Sequence, residues 1–366
     1  MSRGYNFSAG PSTMPEPVLR RAQAEMLEWS GERASVMEVS HRGKAFVAMT
    51  EKLEADLRRL LGVPSDYAVL FLQGGATQHF AQIPMNIAGP DDTADYLVTG
   101  HWSSKALSEA KTVVRTNVAA TAEAGNFTTV PDRTEWKLTP GAAYLHVTPN
   151  ETIQGVEFED EELAGVPGAA DVPVVADMSS NILSRPVDVS RYGIIYAGAQ
   201  KNMGAAGLTL LVVRNDLLAR KGRPLPNILT YAAHAKEKSL LNTPPSFPFY
   251  VTGLALEWIE GEGGVAVMAQ RNRAKADMLY AAVDGSNGYY RNPVDLRYRS
   301  RMNVPFTLHD DALDAPFLKQ SEAAGLFALK GHKALGGMRA SLYNAVPLEA
   351  VEALTSFMRE FTRQHG

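Results

Sequence analysis

The feature that most constrains this chain is an alternation running from Ala68 to about Val213. Short apolar segments (AVLFL, DYLVTG, AAYLHVT, VPVVAD and GIIYAG) are separated by helical or loop-forming stretches. Strand, crossover and strand repeated in this way imply a largely parallel, doubly wound α/β sheet. The flanking regions read differently. Residues 1–15 are rich in Gly, Ser and Pro and irregular; Pro17 to Trp29 and Ala45 to Leu61 then read as helices, the second with Phe46, Leu53, Leu57 and Leu60 near helical spacing. Phe247 to Glu260 is a further predicted helix, GEGG (261–264) a break, and Val265 to Val283 a long connecting helix. Beyond it, NVPFTL and GMRASLY read as strands mixed with helices, and the last helix, after Pro347, carries Val351, Leu354, Met358 and Phe361 on one face. The expected organisation is an N-terminal segment (1–15), a large domain (16–260) and a smaller α+β C-terminal domain (261–366), which 366 residues can accommodate.

Composition removes several classes. With no cysteine there is no disulfide, thiolate metal site or cysteine nucleophile. The net charge of −4, with both signs mixed along the chain, argues against a nucleic-acid or membrane-surface footprint. MSRGYNFSAGPSTMP lacks an apolar leader core and no apolar run reaches membrane length, so a cytoplasmic protein is expected.

Chemistry concentrates in IIYAGAQKNMGAAGLTLLVV. Ile194 to Ala197 and Leu208 to Val213 read as buried strands, and the small-residue loop between them holds Lys201. A lysine desolvated in such a loop has a lowered pKa and becomes a usable nucleophile. Asp177 ends the strand VPVVAD, 24 residues earlier. A lysine and an aspartate at the carboxyl ends of two strands suit pyridoxal phosphate, the lysine forming the Schiff base and the aspartate pairing with the pyridinium nitrogen. Taken singly, such a lysine is usually a surface residue and such an aspartate often a helix cap; their order and context favour the cofactor.

Other motifs gain meaning beside that pair. Gln73-Gly74-Gly75-Ala76-Thr77-Gln78 follows a strand and opens a helix, where free N–H groups form a phosphate cradle; alone such a sequence is usually just a turn. Trp102, in Gly100-His101-Trp102-Ser103, either stacks on a planar ring or is an ordinary half-buried indole. Thr152 either bonds a ring substituent or satisfies the local backbone. Two basic clusters, Ser40-His41-Arg42-Gly43-Lys44 and Gly331-His332-Lys333 with Arg339 nearby, offer anion binding.

Together these residues resemble a known family. NFSAGPS, SHRGKAF, FLQGGATQHFAQIPMN, GHWS, ADMSSNILSRPVDVSRYGIIYAGAQKNMG, LNTPPSFPFY and GHKALGGMRASLYNA, spread nearly end to end, are similar to the phosphoserine aminotransferases among the class V, fold-type I pyridoxal-phosphate enzymes. The resemblance implies a Schiff base on Lys201, Asp177 at the pyridine nitrogen, Trp102 on the ring, Thr152 at its phenolic side, and Ala76, Thr77 and Gln200 at the phosphate. It implies that Asn242 and Thr243 reach the phosphate of a neighbouring subunit in a homodimer. Arg339 would clamp the substrate α-carboxylate, and His41, Arg42, His332 and Lys333 would receive the distal phosphate or γ-carboxylate. Some members place Arg where this chain has Thr77, and others carry Arg in place of Lys333, which leaves a point charge here and not a bidentate fork. The implied reaction is glutamate-dependent, reversible transamination of 3-phosphohydroxypyruvate to O-phospho-L-serine and 2-oxoglutarate, by ping-pong kinetics, in serine biosynthesis, with pyridoxine biosynthesis a related setting. An alanine–glyoxylate type class V transaminase is the alternative, and a non-catalytic pyridoxal-phosphate-binding protein a more distant one. A desulfurase is excluded by the missing cysteine.

Overall fold

Apolar segments between Tyr67 and Arg214 assemble into one seven-stranded sheet. The computed structural model describes residues 3–163, 172–220 and 222–366, so the first two residues of the expected N-terminal segment and residues 164–171 and 221 of the expected large domain lie outside the described residues. The strands are β1 (Tyr67–Gly74), β2 (Thr93–Val98), β3 (Arg115–Thr121), β4 (Leu145–Val147), β5 (Val174–Asp177), β6 (Ile194–Gly198) and β7 (Gly207–Arg214), in the spatial order β1-β7-β6-β5-β4-β2-β3. Strands β3, β2, β4, β5 and β6 are mutually parallel, whereas β7 runs antiparallel to both β6 and β1. The sheet is therefore mainly parallel, as expected. Its one reversal has a simple cause: residues 199–206 are too short a connection for a crossover, so the chain returns alongside β6 in the opposite sense.

Period-two alternation sends the strands' side chains into two cores. Val69, Phe71, Ile195 and Ala197 face one, and Leu70, Leu72, Ile194 and Tyr196 the other. Helices α1 (Glu16–Ala24) and α2 (Lys44–Leu61) lie with α5 (Ser246–Gly261) over the first face, while α3 (Ala76–Ile87) and α4 (His101–Ala110) cover the second. Two sequence expectations are corrected here. The helix expected over Pro17–Trp29 ends at Ala24: Ser30 and Gly31 turn with positive φ (58° and 77°), and Trp29 drops into the core edge-on to Tyr250, so the chain cannot continue as a helix. Strand β3 was not among the expected strands; it is a sheet edge with Arg115, Val118 and Thr121 exposed, which removes the apolar run by which its neighbours are recognised.

The C-terminal part has its own core. Strands β8 (Tyr290–Arg291), β9 (Asn303–Leu308) and β10 (Met338–Ser341) form an antiparallel sheet backed by α6 (Gly264–Asp284) and α7 (Leu348–His365). Val351, Leu354, Met358 and Phe361 of α7 are at most 1% exposed, each contributing roughly 1.5–3 kcal/mol of burial. The N-terminal segment joins the two parts. Tyr5–Asn6 pairs in parallel with Leu326–Phe327, Phe7 is buried in the C-terminal core, and Ser12 N donates to Gln200 O at 3.0 Å.

Candidate active site

The carboxyl ends of the parallel strands surround a cavity of about 290 Å³ whose lining includes Lys201, Asp177, Thr152, Trp102, Thr77 and Arg339. Each reaches it by a different route. Asp177 is the last residue of β5, and Lys201 stands in the turn after β6, where Met203 N and Gly204 N both donate to Ala199 O (3.2 and 2.8 Å). Small residues are a steric need in that turn: a Cβ on Gly204 would lie 2.6 Å from Thr252 Oγ1. Ser12 Oγ donates to the Lys201 carbonyl, and a Cβ on Gly10 would press within 3.2 Å of Lys201 Cγ, so the N-terminal segment braces the lysine from above.

Lys201 is half-buried and Nζ donates to Thr152 Oγ1 at 2.6 Å. Desolvation pushes its amine down to about 8 against the pull of Asp177 and Glu151, and Arg339 adds to the fall. Asp177, 5% exposed, is moved up from the ordinary carboxylate range by burial, and Ser179 and Lys201 oppose that shift. Its Oδ1 accepts from Ser179 N (3.0 Å) and Ser179 Oγ (2.6 Å), which leaves Oδ2 for a further donor. Ser179 Oγ in turn accepts from Gly198 N at 3.0 Å, tying the aspartate to the strand that leads to the lysine.

The face and the end of the cavity are equally specific. Trp102 stands in the first turn of α4 with its ring centroid 5.6 Å from Lys201 Nζ, and its buried indole N–H has no partner among the described residues. Ala76 and Thr77 open α3 after Gly74-Gly75, and the φ of 107° at Gly74 favours glycine there. Their N–H groups meet no acceptor among the described residues, the arrangement that binds a phosphate. Arg339, on β10, reaches the cavity half-buried and without an ion-pair partner among the described residues. His332 accepts Ala334 N–H on Nδ1 at 3.2 Å, which keeps the ring proton of the neutral imidazole on Nε2. An aromatic face, an amine, a buried carboxylate and a free helix N-terminus in one cavity form a donor set that fits a pyridine ring bearing a phosphate.

Of the expected site residues, Ala76, Thr77, Trp102, Thr152, Asp177, Gln200, Lys201, His332 and Arg339 line this cavity. His41, Arg42, Asn242, Thr243 and Lys333 do not. Arg42 is exposed; His41 has a buried Nε2 without a partner; Asn242 Nδ2 donates to Gln73 Oε1 (3.1 Å) at the end of β1. Lys333 is exposed, beside His101 and His332, whose rings lie 5.6 Å apart and whose imidazoles are pushed down by burial and by neighbouring cations. Residues the sequence did not single out are Glu151, Gln154 and Ser179. Ser179 had a local signal in the Asp-x-Ser spacing, which favours a side-chain turn; Glu151 and Gln154 act across 48 or more residues and had none.

Comparison with known proteins agrees with this geometry. The sequence profile described as aminotransferase class-V matches residues 4–354. The chain is 54% identical over 366 residues, all of both chains, to a phosphoserine aminotransferase of Stenotrophomonas maltophilia, and 54% identical over 364 residues, 99% of that protein, to the one of Xylella fastidiosa. The solved phosphoserine aminotransferase of Bacillus circulans subsp. alkalophilus superposes with a TM-score of 0.95 at 49% identity, covering 100% of this chain and 99% of that one. A pyridoxal-phosphate-bound phosphoserine aminotransferase from Trichomonas vaginalis does so at 0.91 and 42%, covering 98% and 100%. Profile, full-length identity and superposition thus converge with the lysine–aspartate–tryptophan cavity, and the chain belongs to the aminotransferase class-V family.

Proposed function

We propose that this protein is a phosphoserine aminotransferase, moving an amino group reversibly between glutamate and 3-phosphohydroxypyruvate to give 2-oxoglutarate and O-phospho-L-serine in serine biosynthesis. The observation that carries the reading is the single cavity in which a desolvated Lys201 amine stands between Asp177, Trp102 and an unpaired Arg339. Relatives of that name, identical at more than half of all positions, support it.

Pyridoxal phosphate is the cofactor, and when bound it supplies an electron sink for negative charge developing at the substrate Cα. In our reading Lys201 Nζ would carry it, the N–H groups of Ala76 and Thr77 together with Gln200 would hold its phosphate, Trp102 would cover the ring, and Thr152 would bond at its phenolic edge. Asp177 holds the proton on the ring nitrogen, where a fixed negative charge in a dry site is most effective. Arg339 grips the substrate α-carboxylate by a bidentate pair, which turns the Cα–H toward the lysine. The Lys201 amine, which burial in this cavity holds below the ordinary lysine range, would take the Cα proton. His332 Nε2–H and Lys333 receive the substrate's distal anion.

The active unit is proposed to be a homodimer. Asn242 and Thr243 lie outside their own chain's cavity, as do His41 and Arg42, and a partner subunit is the simplest source for their phosphate- and substrate-binding roles. The segment 1–15, the part 16–260 and the part 261–366 serve in turn as brace, cofactor domain and substrate domain. A cytoplasmic setting and a role in pyridoxine biosynthesis belong to the same proposal; among the described residues no helix is long and apolar enough to cross a membrane.

The test is an absorbance titration of the cofactor-loaded protein with phosphoserine, with alanine and serine in parallel. Conversion of the lysine-linked band to the pyridoxamine form by phosphoserine alone is the expected result. A response to alanine but not to phosphoserine would move the protein to another activity of its family.

A further inference from the structure

We propose that Glu151 is a positioning residue for the cofactor: its carboxylate anchors the start of α4, so that Trp102 is held at a set distance from Lys201. This rests on the reading that Trp102 covers the cofactor ring and Lys201 carries it.

Helix α4 begins at Gly100, which has no side chain to cap it, so its first N–H groups need acceptors from elsewhere. They come from one turn of chain. His101 N donates to Gln154 Oε1 at 3.1 Å, Trp102 N to Glu151 Oε2 at 2.9 Å, and Ser103 N to Glu151 Oε1 at 2.9 Å. Ser103 Oγ adds a bond of 2.6 Å to the same Oε1 while accepting from Thr99 N and Gly100 N (2.9 and 3.0 Å). Every partner of the Glu151 carboxylate is thus a donor, which favours the ionised group; burial opposes these bonds and pushes the carboxyl up to about 7, so it carries its charge above that pH. It is 0% exposed. The fit is close enough to dictate its neighbour: a Cβ on Gly100 would lie 2.5 Å from Glu151 Cδ and 2.8 Å from Gln154 Oε1.

The other side of the same turn reaches the lysine. Thr152, next in sequence, accepts from Lys201 Nζ at 2.6 Å. Adjacent side chains therefore hold the two groups between which a flat ring must fit, one fixing the helix that carries the indole and the other the amine. The charge has a second consequence, since Glu151, Asp177 and Arg339 are the charged groups acting on Lys201, and Glu151 favours its protonated form.

The experiment compares wild-type holoenzyme with Glu151→Gln and Glu151→Asp, reading the pyridoxal phosphate Kd and the pH midpoint of the lysine-linked absorbance band. Glutamine keeps the size but presents N–H to the Trp102 N–H, so E151Q is expected to weaken cofactor binding about tenfold and lower the midpoint by about one pH unit. E151D keeps the charge but is one methylene short of both amides; weaker binding with a midpoint near wild type is expected. If E151Q does not fold, Ser103→Ala removes one donor and is expected to weaken cofactor binding about threefold. A lower melting temperature in E151Q, with cofactor affinity and midpoint both unchanged, would mean a structural cap only and would overturn the inference alone. A wild-type protein without any lysine-linked band overturns the reading beneath it as well.

Discussion

Lys201 and Lys275 both sit away from bulk water, and in each burial pulls the amine down, to about 8 and about 7. Their surroundings differ in every other respect. Lys275, on α6 and 2% exposed, donates to Leu342 O (2.8 Å), Tyr343 O (2.7 Å) and Val346 O (3.0 Å), which uses all three ammonium hydrogens. Those carbonyls follow β10, so the lysine pins the long helix to the strand that presents Arg339. Lys201 has one partner, a hydroxyl, and opens on a cavity with two carboxylates nearby. A depressed pKa alone does not mark a reactive lysine; unspent donors and room for a substrate do.

The comparison can be broken most directly at Lys201. Lys201→Ala is expected to lower kcat/KM about 10⁴-fold or more while moving the apo-protein's melting temperature by less than about 2 °C, as steady-state assays and thermal unfolding would show. Substantial residual turnover would place the two lysines in one class. Arg339→Ala should cost about 10²-fold in kcat/KM for every amino acid tested, because a paired guanidinium–carboxylate contact is lost; Arg42→Ala should cost about tenfold for both glutamate and phosphoserine. Equal, selective loss of phosphoserine alone in both variants would overturn these assignments.

Lys275→Met carries the opposite signature. Three buried carbonyls lose their donor, so urea unfolding should report a destabilisation of about 3 kcal/mol, with turnover per folded molecule falling far less than in Lys201→Ala. The pH dependence sharpens the contrast. With a folded pKa of about 7 against an ordinary 10.5, the unfolded chain holds a proton above pH 7 that the folded chain has released. Apo-protein stability should then rise with pH in that window, by up to about 1.4 kcal/mol per unit. Lys201, at about 8, enters later, so K275M should flatten the segment just above pH 7 and leave the steeper part beyond pH 8. A wild-type curve flat from 7 to 8 would mean that the three carbonyls retain the proton. The smallest effect is expected at Thr77, where some relatives carry an Arg that adds to phosphate recognition: Thr77→Arg should lower the KM for phosphoserine by about threefold, and an unchanged value would show that no substrate-phosphate contact is missing there.

How far the chain could be read from its sequence follows from the range of the interactions. Lys201, Asp177, Trp102 and Ala76–Thr77 were legible because each follows a strand, and the carboxyl ends of parallel strands converge by geometry. Edge strand β3 was not, because exposure had stripped it of an apolar pattern, and the early end of α1 depended on Trp29 finding Tyr250 more than two hundred residues away. Glu151 reads as an ordinary polar loop residue until α4 is laid against it.

The sequence by itself determined the alternating layers, the strand ends and the residue types that carry the chemistry, since periodicity, turn composition and reactive groups are local properties. Only the tertiary structure decided which of those residues share a cavity and which are satisfied elsewhere. Among the described residues it left Arg339 unpaired and Lys201 with one bond, spent all three of Lys275's donors, and held His41, Arg42, Asn242 and Thr243 outside their own chain's pocket. The physical reason is that desolvation and hydrogen-bond satisfaction belong to neighbours in space, and for these groups the neighbours come from distant parts of the chain.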